Sequence, residues 1–319
     1  MNPFPSPLPE LQALQTTSLV FMVRPVAFAF NEQTAESNAF QHSESQESQA
    51  TIQQRAQHEF DVFVDLLRTK GIEVVVFEDH LTPHTPDSIF HNNWISFHTN
   101  GKVILYPILA HNRRLERRWD IVDHFKALYP CPEVIDFSHY ENTDQFLEGT
   151  GSMIIDRVNQ RVYACISPRT DPEMFQRFCT EMDCQGILFH ARDGQGQDIY
   201  HTNVMMALGT DLAVICLDSL ANDAERNAVV NSLQETGHQI LDISLEQVHQ
   251  FAGNMLQLHN PAGENFWVLS QRAFNSLRPE QLTQLSASGT PLPIPVEVIE
   301  TYGGGSVRCM IAEVFPPRA

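Results

Sequence analysis

The chain has 319 residues, 42% of them hydrophobic, enough apolar material for a sizeable buried core. Its formal net charge of -19 sets it against polyanions, so nucleic acid and anionic membrane surfaces are poor partners, whereas a cationic or zwitterionic small molecule is compatible. No stretch is long and apolar enough to span a bilayer. The start, MNPFPSPLPELQALQ, has no basic region followed by an apolar one, so the expected location is the cytoplasm.

After an N-terminal extension (1–17), SLVFMVRPVAFAF (18–30) reads as a strand. Residues 31–50 are polar without apolar periodicity and read as a mobile loop. A helical pattern covers 51–69, Gly71 ends it, and IEVVVFE reads as a strand. NNWISFHT and KVILYP flank Asn100-Gly101, a tight-turn dipeptide that predicts a hairpin. The segment 113–128 is helical in pattern, and VIDF reads as a strand. The same order then returns. SMIIDRVNQRVYACIS is a hairpin, 171–182 a helix and GILFH a strand. NVMMALGTDLAVICL is a hairpin turning at 209–211, followed by a helix over 222–236 and the strand QILDIS. NMLQLHNPAGENFWVLS is a hairpin, followed by helical segments around 271–286 and the strand VEVIE. The last stretch, VRCMIAEVF, has no local partner and is expected to pair with 18–30.

The hairpins recur roughly every 50–57 residues, and such a period sets architecture before any local signal does. Asn93, Gly151, Asn203, Asn254 and Cys309 each stand near the start of an inward strand. The rhythm predicts an α/β fold: a five-bladed α/β propeller of five hairpin-helix-strand repeats, helices outside, closed by the C-terminal strand. It would bury its strand edges and bring five strand starts to one mouth. Residues 1–319 would then be a single catalytic domain. The alternative is an ordinary α/β domain in which the rhythm is coincidental.

Six cysteines (Cys131, Cys165, Cys179, Cys184, Cys216 and Cys309) lack CxxC spacing and read as reduced thiols. Five lie in apolar surroundings and read as small core residues. Cys309 follows Gly303-Gly304-Gly305, a loop that can approach a ligand closely and aim backbone N–H groups at a sulfur, which favours the reactive thiolate. His201, in HTNVM, has the residue type of a general acid and base. Glu148, in FLEGTGS, reads as a carboxylate in a tight interior turn. Such a group needs a partner when buried, and a histidine can supply it. Asp87 to Asn93, in PDSIFHNNW, fit a pocket wall or a capped turn. His80, His84, His91 and His98 are close in sequence but are not read as a metal set. Each motif alone has an ordinary structural explanation. Together they open different hairpins at the same point, so cysteine, histidine and glutamate would converge.

These residues resemble the guanidino-group-modifying superfamily, whose fold is the five-bladed α/β propeller called the pentein fold. The resemblance runs from about Val20 to Phe315 and rests on PDSIFHNN, HNRRLERR, FLEGTGS, SPRTD, HTNV and GGGSVRCM in that order. The chain is most similar to citrulline-utilisation hydrolases, also called arginine deiminase-like or amidinotransferase proteins. The resemblance implies Cys309 as nucleophile, His201 as general acid and base, and Glu148 as its acidic partner or a substrate contact. It implies Asp87 in the substrate pocket and Arg169 on the substrate α-carboxylate. Arg113 or Arg114 would be a second carboxylate-binding arginine, with the choice open. Asn93 and Asn203 stand where arginine deiminases carry guanidinium-clamping aspartates. An amide offers a donor and an acceptor, which suits a neutral ureido group.

The expected activity is hydrolysis of the ureido or guanidino group of a citrulline- or arginine-like amino acid, through a thiocarbamoyl or amidino intermediate. Backbone N–H groups near Gly303–Gly305 are expected to stabilise the oxyanion. No cofactor or metal is expected. The partner is a small molecule (citrulline, arginine or a derivative), and a homodimer is compatible. An amidinotransferase using the same site, or a non-catalytic propeller binding module, remains the alternative.

Overall fold

The computed structural model describes residues 14–35, 40, 47–129 and 133–316. The extension at 1–13, Cys131 and most of the polar loop (36–39 and 41–46) lie outside the described residues. The loop's described flanks hold a helical turn, Glu32–Ala35, and Ser48, whose hydroxyl accepts the Thr51 N–H and caps the helix Gln49–Thr69. A capping serine at that point is why the helix begins two residues before its apolar periodicity does.

Fifteen described strands form five sheets of three. In the first, β1 (Leu19–Arg24) lies between β2 (Glu73–Glu78), parallel, and β15 (Ala312–Glu313), antiparallel, so the last described strand pairs with the first, as expected. In the second, β3 (Ile95–Phe97) and β4 (Lys102–Leu105) are a hairpin and β5 (Glu133–Asp136) runs parallel to β4. The third repeats this with β6 (Met153–Asp156), β7 (Arg161–Cys165) and β8 (Gln185–Phe189). The fourth uses β9 (Met206–Leu208), β10 (Leu212–Ile215) and β11 (Gln239–Asp242). The fifth uses β12 (Leu256–His259), β13 (Asn265–Ser270) and β14 (Thr290–Ile294). A parallel third strand requires a crossover, and helices supply it: Trp119–Leu128, Pro172–Met182, Asp223–Glu235 and the pair Gln271–Ser276 and Pro279–Ser288. Asp171 and Asn222 cap the second and third of these, and Pro279 splits the last.

Four buried apolar clusters join the sheets side to side. Phe21 with Trp94 links first to second, Tyr106 with Met153 second to third, Tyr163 with Met206 and Trp267 third to fourth and fifth, and Val20 with Leu258 fifth back to first. Each sheet thus buries both faces against neighbours and helices, which accounts for the near-continuous apolar runs in the central strands.

Two expectations fail at the C-terminal end. VEVIE is not a strand; residues Glu297–Gly303 are helical, and the strand is the preceding TPLPI (β14). In VRCMIAEVF only Ala312–Glu313 is extended, because Val307–Met310 form a 3-10 turn. This second difference is general. His91–Asn93, Thr202–Val204 and Val307–Met310 are 3-10 turns and Gly149–Ser152 is a short helix, so Asn93, Glu148, His201, Asn203 and Cys309 stand on or beside single turns that precede β3, β6, β9 and β15.

Candidate active site

Four of those turns meet. The Glu148 Oε2 accepts from the His201 Nε2 at 2.8 Å, and its other oxygen accepts the Leu109 N–H at 3.1 Å. Two residues beyond His201, the Asn203 Nδ2 donates to the Cys309 Sγ at 3.4 Å. The approach depends on glycine. A Cβ at Gly151 would sit 2.9 Å from the His201 Nδ1 and closer still to the Asn93 amide. Gly149, at φ +50, would meet the Asn92 carbonyl. FLEGTGS therefore carries two glycines because the Glu148 turn is wedged between the turns bearing Asn93 and His201.

The candidate residues other than Arg114 are 7% exposed or less, so their charges must pair inside the protein. Burial pushes the Glu148 carboxyl up, but Arg169, at 3.5 Å, and the His201 hydrogen bond outweigh it and hold the group down at about 2. Burial brings His201 down to about 4 against the opposing pull of Glu148. At neutral pH the pair is carboxylate and neutral imidazole. The carboxylate takes the Nε2 hydrogen, which leaves Nδ1 as the basic nitrogen.

Arg169 also lies over the Tyr200 ring, 4.8 Å from its centre, and the Tyr200 hydroxyl donates to the Gly304 carbonyl at 3.2 Å. Arg113 and Arg114 separate clearly. Arg113 donates to the Asn93 Oδ1 at 2.7 Å, is clamped by Glu116 at 2.9 Å and lies 3.8 Å from Asp87. Arg114 turns away, bonding the Ile108 and Leu109 carbonyls and Glu141, and so braces the segment whose Leu109 N–H reaches Glu148. Asp87 Oδ2 is held by Asn31 at 2.7 Å and Thr34 at 3.4 Å, and burial raises its pKa. Among the described residues, two buried acceptors here have no partner: the Asp87 Oδ1 and the Asn203 Oδ1.

Two sequence expectations need correction. Among the described residues, the hydrogen bonds to the sulfur do not come from the glycine loop's backbone. The N–H groups of Gly304, Arg308 and Cys309 are taken up by the Glu300 carbonyl, the Asn254 Oδ1 and the Ser306 carbonyl. Only Gly304 of the three has φ > 0, where it ends a helix, while Gly303 and Gly305 make room for the Phe90 ring. The sulfur's donors are instead the side-chain amides of Asn203 and Asn254. Nor are both ends of each asparagine free: the Asn93 oxygen serves Arg113 and the Asn203 nitrogen serves Cys309. Asn31, Glu116, Tyr200 and Asn254 were not read as site residues from the sequence. Only Asn254 gave a signal, through its equivalent place in the repeat.

Elsewhere the reading of bland residues agrees with the fold. Cys165 and Cys216 are buried thiols, pushed up by burial to about 12 and about 11. His91 bonds backbone carbonyls of Phe21 and Ile89, and His98 bonds Ser96. No described helix is long and apolar enough to cross a membrane.

No match is found among curated proteins. Solved structures do match. The N-terminal domain of ArgZ, an arginine dihydrolase from cyanobacteria bound to substrate, is 14% identical with a TM-score of 0.70, covering 94% of this chain and 98% of that one. AgrE in complex with L-arginine is 15% identical with a TM-score of 0.72, covering 94% of this chain and 40% of that one. DDAH from Pseudomonas aeruginosa, complexed with citrulline, is 14% identical with a TM-score of 0.64, covering 93% and 99%. Likeness at this identity is likeness of fold, and these are pentein-fold enzymes. The family model described as N,N dimethylarginine dimethylhydrolase, eukaryotic, matches residues 24–316, nearly the whole sequence. The chain belongs to that family and is a C–N hydrolase of the pentein superfamily.

Proposed function

We propose that the chain hydrolyses the ureido or guanidino group of a citrulline- or arginine-like amino acid by covalent catalysis at Cys309. The observation that carries this reading is the convergence of the Glu148–His201 pair and Cys309 beside two unpartnered buried acceptors. The His201 Nδ1 takes the thiol proton as the sulfur attacks the terminal carbon, then delivers it to the departing amine. For citrulline this forms a thiocarbamoyl enzyme and ornithine. Water, deprotonated by the same nitrogen, displaces the sulfur and releases carbamate, which decomposes to carbon dioxide and ammonia. For a guanidino substrate the intermediate is the amidino analogue. The existence of an ArgZ structure covalently bound to a reaction intermediate supports the covalent route.

The orphan oxygens of Asp87 and Asn203 suit N–H donors of the substrate, because a buried acceptor without a partner is costly until a ligand fills it. We assign Arg169 to the substrate carboxylate and Arg113 to orienting Asn93. The five sheets are read as blades of one closed propeller forming a single catalytic unit, a reading supported by the return of the apolar packing from the fifth sheet to the first.

Arg169→Ala is expected to raise KM for amino-acid substrates by about ten- to hundredfold, the size of one lost charge-assisted bond. Agmatine has no carboxylate and should be affected far less. Equal KM increases for both would remove the assigned role. For substrate choice, the absence of carboxylates at Asn93 and Asn203 favours a neutral ureido group over a guanidinium. Asn93→Asp is expected to move the kcat/KM ratio toward arginine by about tenfold. Ammonia release from citrulline and from arginine, by wild type and variant at one pH, tests this. A wild type that consumes arginine and ignores citrulline contradicts the preference.

A further inference from the structure

Asn254 lies at the mouth of the fifth sheet, which contributes none of the residues assigned above. It is 1% exposed. Its two amide hydrogens are spent on the Asn203 carbonyl at 3.0 Å and the Cys309 Sγ at 3.3 Å, and its Oδ1 accepts the Arg308 N–H at 3.0 Å. It therefore ties together the two turns that carry His201 with Asn203 and Cys309. The loop holding it is shaped for this contact. A side chain at Gly253 would run into the backbone of Val204 and come within 2.7 Å of the Met205 Cα. Phe251, three residues before it, adopts φ 61, a costly conformation for a bulky side chain.

With Asn203 at 3.4 Å, the Cys309 sulfur receives two amide N–H groups, one from each of two successive units of the repeat, the fourth and the fifth. Two donors aimed at one sulfur fix its rotamer, and an anionic sulfur is the better acceptor of both.

We propose that Asn254 is a further residue of the reaction, whose amide, together with that of Asn203, holds the Cys309 sulfur in its attacking position and stabilises its anionic form. This rests on Cys309 being the nucleophile. Asn203 then has a double task, one end of its amide on the nucleophile and its unpartnered Oδ1 left for a substrate N–H. Recognition of the substrate and alignment of the sulfur would pass through one side chain.

The test compares Asn254→Asp and Asn254→Ala. Aspartate keeps the size and the acceptor for the Arg308 N–H but replaces the N–H donors with negative charge. Alanine loses every contact yet places no charge beside the sulfur. A structural role predicts that alanine is the worse of the two; a role toward an anionic sulfur predicts that aspartate is. Three quantities are measured: kcat and KM, the thermal midpoint, and the rate of Cys309 alkylation by iodoacetamide against pH, read by peptide mass spectrometry. We expect kcat to fall by about ten- to hundredfold with KM changed by less than about threefold. The alkylation profile should move to higher pH in both variants, further in the aspartate. A wild-type profile and kcat in both variants, or a loss of kcat that follows thermal stability with the profile unmoved, overturns the proposal. Turnover by Cys309→Ser would instead overturn the reading beneath it.

Discussion

Cys309→Ser is expected to lower kcat by about 10³-fold or more while leaving the protein folded. The serine hydroxyl fits the space and can accept the Asn203 and Asn254 amide hydrogens, and the backbone bond from Cys309 N to the Ser306 carbonyl is unaffected. What it lacks is an accessible anion at neutral pH. The contrast lies in the other thiols. Cys165 packs against the Ile199 carbonyl and Thr202, and Cys216 sits in the core of the fourth sheet. Burial raises both thiols, so they are neutral at working pH. Their serine variants should keep the wild-type kcat and lose about 1 kcal/mol of stability. Ammonia release with a urea unfolding curve for each variant checks the set.

Glu148→Gln is expected to reduce kcat by about 10²–10⁴-fold. Glutamine fills the same volume, but its amide nitrogen would face the Leu109 N–H, the Arg169 guanidinium or the His201 Nε2–H, donor against donor. The imidazole also loses the charge that stabilises its protonated form. Burial already lowers His201 to about 4, with Glu148 opposing. Removing the carboxylate lowers it further, so the acid limb of the pH–rate profile should move to lower pH. Stability responds in the opposite sense. Glu148 titrates at about 2 in the folded protein and near 4.5 when unfolded, so its contribution is complete above 4.5 and is lost as pH falls from there toward 2. That contribution is on the order of 3 kcal/mol, and the variant should lack this acid-dependent loss. A variant with the wild-type kcat and pH profile would show that Glu148 has no part in the chemistry.

The repeat was legible because its hairpins carry strong local signals, such as Asn100-Gly101, where Gly101 takes φ 82. The C-terminal unit was misread because tertiary contacts overrode propensity. β-Branched VEVIE looks extended, yet Glu59, from the helix Gln49–Thr69, accepts the N–H groups of Val298 and Ile299 and starts a helix there. TPLPI looks like a loop, but its two prolines lie in β14, a strand paired on one side only, where missing donors are tolerated. Cys309, His201 and Glu148 could be picked out because each sits in a glycine-rich or polar interruption of an apolar pattern. The choice between Arg113 and Arg114 could not be made, since adjacent residues of one 3-10 turn point to different sides. Asn31 was hidden for a similar reason, since it acts through Asp87, 56 positions away; Asn254 showed its place in the repeat but not its contact with Cys309, 55 positions away.

The central claim is covalent catalysis at Cys309. Wild-type enzyme is mixed with citrulline or arginine, whichever it turns over, and quenched with acid during steady state. Peptide mass spectrometry is then read at the segment containing Cys309. A carbamoyl or amidino adduct on Cys309, absent from Cys309→Ser and from enzyme without substrate, is the predicted result. Sustained turnover with Cys309 unmodified at every quench time, in an enzyme whose Cys309→Ser variant keeps full activity, would contradict it.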